Sequence, residues 1–194
     1  MMKLIHNDIL DEFSTNAKIA FEKITENTLH EIITLIISAK KIYVLGIGHS
    51  GMFVKILSMK LNHVGLKAYT VFDEINPPFE KDDLFIAISQ SGETKTIVAL
   101  AEKAKTLSGN VLGVTTNSES TLARLSKAVL KIDDVSDGID FPGLSTLGDK
   151  TYQNLTGCLF GFNIYVLFYS LIIMIANERG ESPGSIDSRH ANLQ

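Results

Sequence analysis

Two kinds of apolar run alternate along this chain. Short runs rich in β-branched residues, bounded by Gly, Asn, Asp or Ser, predict strands over 42–46, 67–72, 83–89, 110–115 and 127–132. Between them, apolar positions recur at helical spacing. They predict helices over 5–26, 29–39, 50–64, 94–107 and 119–126, with a long apolar one over 151–178. Gly65 suits the position just past a helix end, and Asn76-Pro-Pro78 marks a turn. Residues 133–150 read as a Gly/Asp/Ser-rich loop. Strands alternating with helices at this interval predict an α/β three-layer, doubly wound sandwich, a parallel sheet covered on both faces. No repeat or linker divides the chain, so residues 1–194 form one expected domain.

Two segments stand out against that pattern. Gly46-Ile-Gly-His-Ser-Gly51 and Ser89-Gln-Ser-Gly-Glu-Thr94 each follow a predicted strand and lead into a predicted helix. Such turns bring backbone N–H groups close to an oxyanion, and the helix N-terminus adds partial positive charge. Hydroxyls supply further donors without bulk. Neither segment is a Walker A loop, because no Lys-Ser/Thr pair follows the glycines. Gly46-x-Gly48 could start a dinucleotide fingerprint, but the acidic residues Asp73 and Glu74 that follow lie in a loop rich in Pro. In parallel sheets ligands bind at the carboxyl ends of strands, where both turns fall, together with Thr115-Thr-Asn-Ser118. The expected ligand is a phosphate clasped between two loops.

Composition narrows the partners. At 194 residues the chain can bury about 70% of its unfolded surface. A net charge of −4 and the lack of a basic cluster with aromatics argue against a nucleic-acid partner. Cys158, the one cysteine, excludes an internal disulfide, fits a cytoplasmic setting, and reads as a buried apolar residue. The N-terminus carries no apolar signal core, so secretion is not expected. Leu159 to Ala176 is long enough to span a bilayer, but its interior Gly161, Asn163 and Ser170 favour a core or interface helix. No membrane partner is therefore expected. Five scattered histidines suggest no metal site.

The chain resembles the SIS (sugar isomerase) domain proteins, and among them the 6-phospho-3-hexuloisomerases. The resemblance is carried by Gly46-Ile-Gly-His-Ser-Gly51, Asn62-His-Val-Gly65, Ala87-Ile-Ser-Gln-Ser-Gly-Glu-Thr94, Val114-Thr-Thr-Asn117 and Arg189-His-Ala-Asn-Leu-Gln194. It implies a five-stranded parallel sheet and a homotetramer with active sites built between subunits. It also implies sugar-phosphate ligands and cofactor-free isomerisation through an enediol, of the type that converts 3-hexulose 6-phosphate to fructose 6-phosphate. By position, Ser50, Ser89, Ser91 and Thr94 resemble phosphate ligands, with Gly48, His49, Gln90 and Gly92 completing the two turns. Glu93 and His190 resemble sugar-facing catalytic residues.

Each of these residues also has a plainer reading. Ser50 could be a helix N-cap, Ser89, Ser91 and Thr94 turn residues, and His49 solvent-exposed filler. Glu93 could serve a helix dipole, His63 could pack or cap carbonyls, and His190 could lie in a polar tail. The chain also departs from the family. Where a Gly-Thr-Leu-Phe-Glu-like motif places a glutamate resembling the proton acceptor, this sequence has Gly157-Cys-Leu-Phe-Gly161, after an irregular Gln153-Asn-Leu-Thr stretch. No carboxylate occurs between Lys150 and Asn177. Either another group, Glu93 or His190 before Asp73 or Glu74, carries the proton, or the protein binds phosphosugars without turning them over.

Overall fold

A computed structural model describes residues 2–133 and 149–192. The loop expected at 133–150 lies almost wholly outside them, as do the side chains of 149–158, Cys158 included. The elements run α1 (Met2–Glu22), α2 (Glu26–Ser38), β1 (Ile42–Gly46), α3 (His49–His63), β2 (Ala68–Thr70) and β3 (Leu84–Ile88). Then follow α4 (Lys95–Thr106), β4 (Asn110–Thr115), α5 (Thr121–Leu125), β5 (Ala128–Lys131), α6 (Asp149–Glu178) and α7 (Pro183–Asp187). The five strands form one parallel sheet in the order β2-β1-β3-β4-β5. This is the doubly wound sandwich that the alternation predicts.

The inner strands β1, β3 and β4 are buried on both faces, which is why their sequences are nearly continuous apolar runs. Ile42, Val44, Leu84, Ile86, Ile88, Leu112 and Val114 point into a large core shared with α2, α3 and α6. Tyr43, Leu45, Phe85, Ala87 and Val111 point the other way, into a smaller core under α4 and α5. Registers such as Ile42↔Leu84 and Ile86↔Leu112 keep each set on one face.

Helix α6 explains its own hydrophobicity. Phe160, Ile164, Leu167, Phe168, Leu171, Ile172 and Ile175 recur at helical spacing and are buried in the large core. By length and composition Leu159–Glu178 would pass for a membrane span, yet half of it is buried inside the fold. Tyr165, Ile173 and Met174 remain exposed on its outer side. Helix α1 lies on α6: Phe13 meets Phe162 edge to face at 5.1 Å, and Asn163 Nδ2 donates to Asn16 Oδ1 at 2.9 Å in a buried contact.

Several boundaries move from their expected places. Helix α2 starts at Glu26 because the Thr25 hydroxyl accepts the Thr28 N–H at 3.1 Å, a cap placed ahead of the apolar run. Strand β2 is only three residues long, since Asn76 Nδ2 donates to the Thr70 and Val71 carbonyls and turns the chain away. The tail contains α7, opened by Ser182 and Pro183 in a capping box with Ser185.

Candidate active site

The strand order reverses direction between β1 and β3, and in a sheet of this order that crevice is where ligands bind. The turn after β1 and the turn after β3 stand on its two sides. They enclose a cavity of about 630 Å³ lined by Ile47, Gly48, His49, Ser50, Ile88, Ser89, Gln90, Ser91, Thr94, Ile97 and Thr116. Seven of the expected phosphate-site residues therefore meet there. Gly92, the eighth, is buried beneath the turn rather than on the cavity wall.

The β3 turn is cross-braced from β4 and α5. The Gln90 carbonyl accepts from the Thr115 hydroxyl, the Thr116 hydroxyl and the Thr116 N–H, each at 2.9 Å. Buried Ser89 shares a hydrogen bond with Thr94 Oγ1 at 2.8 Å and accepts from the Gly92 N–H at 3.1 Å. Gly92 has φ +68°, and a Cβ there would lie 2.1 Å from Ser120 Oγ, so only glycine fits.

The β1 turn is braced much less. Gly48 has φ +63° and open space where a Cβ would stand. Gly46 lets α3 approach closely, because a Cβ there would meet the Ser50 backbone at 2.7 Å. The N-cap of α3 is Gly48, so Ser50 is the second helical residue and not the cap.

Helix capping separates the cleft from the rest of the fold. Thr25, Ser120 and Ser182 each accept a backbone N–H in the first turn of α2, α5 and α7. Gly48 and Thr94, the N-caps of α3 and α4, make no such bond. Two helices thus open on one cavity with first-turn donors that no cap side chain takes, which suits an anion.

The expected catalytic pair is not brought together within the chain. Glu93 Oε1 accepts the Thr121 N–H at 2.7 Å, at the start of α5. That backbone bond, the Thr121 hydroxyl and nearby Arg124 hold its carboxyl below the usual range. It is an anchored carboxylate, absent from the cavity wall. His190 lies at the far end of α3, about 20 Å away by helix rise. Its ring packs against His63 at 3.9 Å between centroids, tilted by 35°, and its Nδ1 donates to the Ile186 carbonyl at 3.1 Å. Arg189 and Arg179 donate to the His63 and Val64 carbonyls, so the tail caps α3. Asp73 and Glu74 are exposed in the turn after β2.

Near Gly161 the structure holds a contact that sequence spacing does not reveal. A Cβ on this buried glycine would lie 2.5 Å from His49 Cε1 and 3.0 Å from His49 Nδ1. The imidazole thus leans over the place where the family motif carries its glutamate, and its ring meets Phe53 at 5.0 Å. Among the described residues, no group of His, Cys, Asp or Glu could hold a metal ion.

The sequence model of the SIS domain matches residues 35–138, more than half the chain. The chain belongs to the SIS domain family. This SIS protein is 30% identical over 195 residues to an uncharacterised protein of Methanothermobacter thermautotrophicus, covering all of this chain and 98% of that one. It is 29% identical over 191 residues to the 3-hexulose-6-phosphate isomerase of Bacillus subtilis, covering 96% of each. Its fold matches a Methanococcus jannaschii protein whose crystal structure led to an inferred 3-hexulose-6-phosphate isomerase function. That match has a TM-score of 0.78 and 28% identity, over 95% of this chain and 98% of the other.

Proposed function

We propose that this SIS protein is a phosphosugar isomerase that interconverts 3-hexulose 6-phosphate and fructose 6-phosphate through an enediol. The supporting observation is the pair of helix N-termini, α3 and α4, that open without side-chain caps on one hydroxyl-lined cavity. Ser50, Ser89, Ser91, Thr94 and the adjoining backbone amides would hold the phosphate. The sugar carbons would then extend along the cleft beside His49. The names of the full-length relatives supply the reaction. A cytoplasmic homotetramer is part of the same reading. It is supported by exposed Met52, Met59, Tyr165, Ile173 and Met174, an apolar surface on α3 and α6 suited to burial between copies.

A second reading, a sugar-phosphate-binding protein without turnover, draws on one observation: no carboxylate lines the cavity among the described residues. Thermal-shift measurements with 3-hexulose 6-phosphate, fructose 6-phosphate and the parent sugars, followed by an isomerisation assay, separate the two. The isomerase reading expects stabilisation by the phosphates alone and a kcat within about 1–10³ s⁻¹. Stabilisation without turnover favours the binding protein, and no stabilisation refutes both.

A further inference from the structure

An anion site accounts for the hydroxyls and free amides of the cleft but not for moving a proton off carbon. Enediol chemistry needs a group that takes a C–H proton and returns it, a role worth about 10²–10⁴-fold in rate. Among the described residues lining the cavity, His49 is the one ionisable side chain. Glu93 is engaged at α5, and within the same chain His190 sits at the opposite end of α3, so His190 of this chain does not reach the cavity. A neutral imidazole has one nitrogen that accepts a proton and one that carries it, so the ring can take a proton and give it back.

The ring is exposed, and two neighbours bound it on the protein side. Its neighbours are Phe53, edge to face at 68°, and the bare backbone of Gly161. Any side chain at 161 would enter the volume that the ring occupies. The absent side chain on α6 and the histidine on α3 are therefore two halves of one arrangement.

We propose that His49 is the catalytic base of the isomerisation and that Gly161 leaves the room in which its ring is held. The assignment rests on the isomerase reading above. An imidazole nitrogen takes the proton from C2, and the C2–H electron pair becomes the C2=C3 double bond. The C3 carbonyl oxygen takes up the displaced electrons and then the proton of the C2 hydroxyl. The imidazolium returns its proton to C3, leaving the carbonyl at C2. Nothing is oxidised or reduced overall, and no co-reactant is needed.

The test pairs kcat on 3-hexulose 6-phosphate with the thermal shift caused by inorganic phosphate. His49→Gln should lower kcat by about 10²–10⁴-fold. It should reduce the phosphate-induced shift far less than it reduces kcat, because Ser50, Ser89, Ser91 and Thr94 remain to hold the anion. Gly161→Ala should displace the ring and lower kcat at least tenfold with the same phosphate shift. The double variant His49→Ala with Gly161→Glu puts a carboxylate into the vacated volume, and should regain at least tenfold over His49→Ala. An active parent whose His49→Gln variant stays within threefold overturns this assignment alone. So does a loss of kcat that follows Glu93→Gln or His190→Ala instead. A parent that binds 3-hexulose 6-phosphate, yet neither turns it over nor exchanges its C–H protons with deuterated solvent, overturns the isomerase reading and the base together.

Discussion

The turn after β3 is held from below by β4 and α5, whereas the turn after β1 rests on its own helix and meets α6 through the His49 ring. In the first, one carbonyl oxygen collects three donors and a glycine presses against Ser120. In the second, the described backbone bond is the Gly51 N–H to the Gly48 carbonyl, and Ser50 and Gly48 face the cavity. The two turns read alike in sequence because both are Gly- and Ser-rich after a strand. Their roles differ: one fixes the shape of the anion site, and the other presents donors and His49.

The contrast breaks most visibly at the two glycines. Gly92→Ala adds a left-handed backbone penalty of about 1–2 kcal/mol to an overpacking cost of about 1–3 kcal/mol against Ser120. Gly48→Ala meets open space and should cost about 1–3 kcal/mol from backbone strain alone, while weakening phosphate binding. Urea denaturation of both variants measures the gap, and equal losses would remove the distinction between the turns.

A finer cut lies within the β3 turn. Ser89→Ala deletes a buried hydroxyl bonded to Thr94 and to the Gly92 N–H, and should cost about 1–2 kcal/mol of stability. Exposed Ser91, whose hydroxyl accepts only the Glu93 N–H among the described bonds, should cost less than about 0.5 kcal/mol as Ala. Both variants should still lose stabilisation by added phosphate. Phosphosugar affinity unchanged in the double variant would refute the site.

The smallest effect lies at the other end of α3. Burial, then the charge of His190 and of Lys60, holds the His63 imidazole below 6.5. The unfolded chain therefore binds the extra proton first as pH falls, so stability rises with pH in this window. It should be complete above 6.5 and decline below it. The drop in melting temperature between pH 7.5 and 5.5 should shrink in His63→Gln, and an unchanged drop would assign the titration elsewhere.

The sheet was legible because its inner strands are buried on both faces and so read as nearly unbroken apolar runs. The cleft was legible because hydroxyls and glycines clustered at two strand ends. Three things were not. Glu93 looks the same in sequence whether it faces a sugar or the start of α5, because charge near a helix end does not say which helix it serves. The nearness of His49 to Gly161 depends on how α6 crosses α3, and no local period records it. Helix α7 did have a signal, Ser182 before Pro183, but it is too short to show an apolar period.

The buried Asn16–Asn163 contact between α1 and α6 has a consequence for uniqueness rather than strength. Two apolar helices can slip along each other by a turn, about 5.4 Å, at little cost. One amide donating to another makes a single alignment better than its neighbours, as a lone buried asparagine does in helical coils. Among the described residues the bond leaves Asn16 Nδ2 and Asn163 Oδ1 buried without partners, so specificity is obtained at some expense of stability. Replacing both residues by Leu should raise the melting temperature while broadening the NMR resonances of α1, because the helix would then sample several alignments on α6.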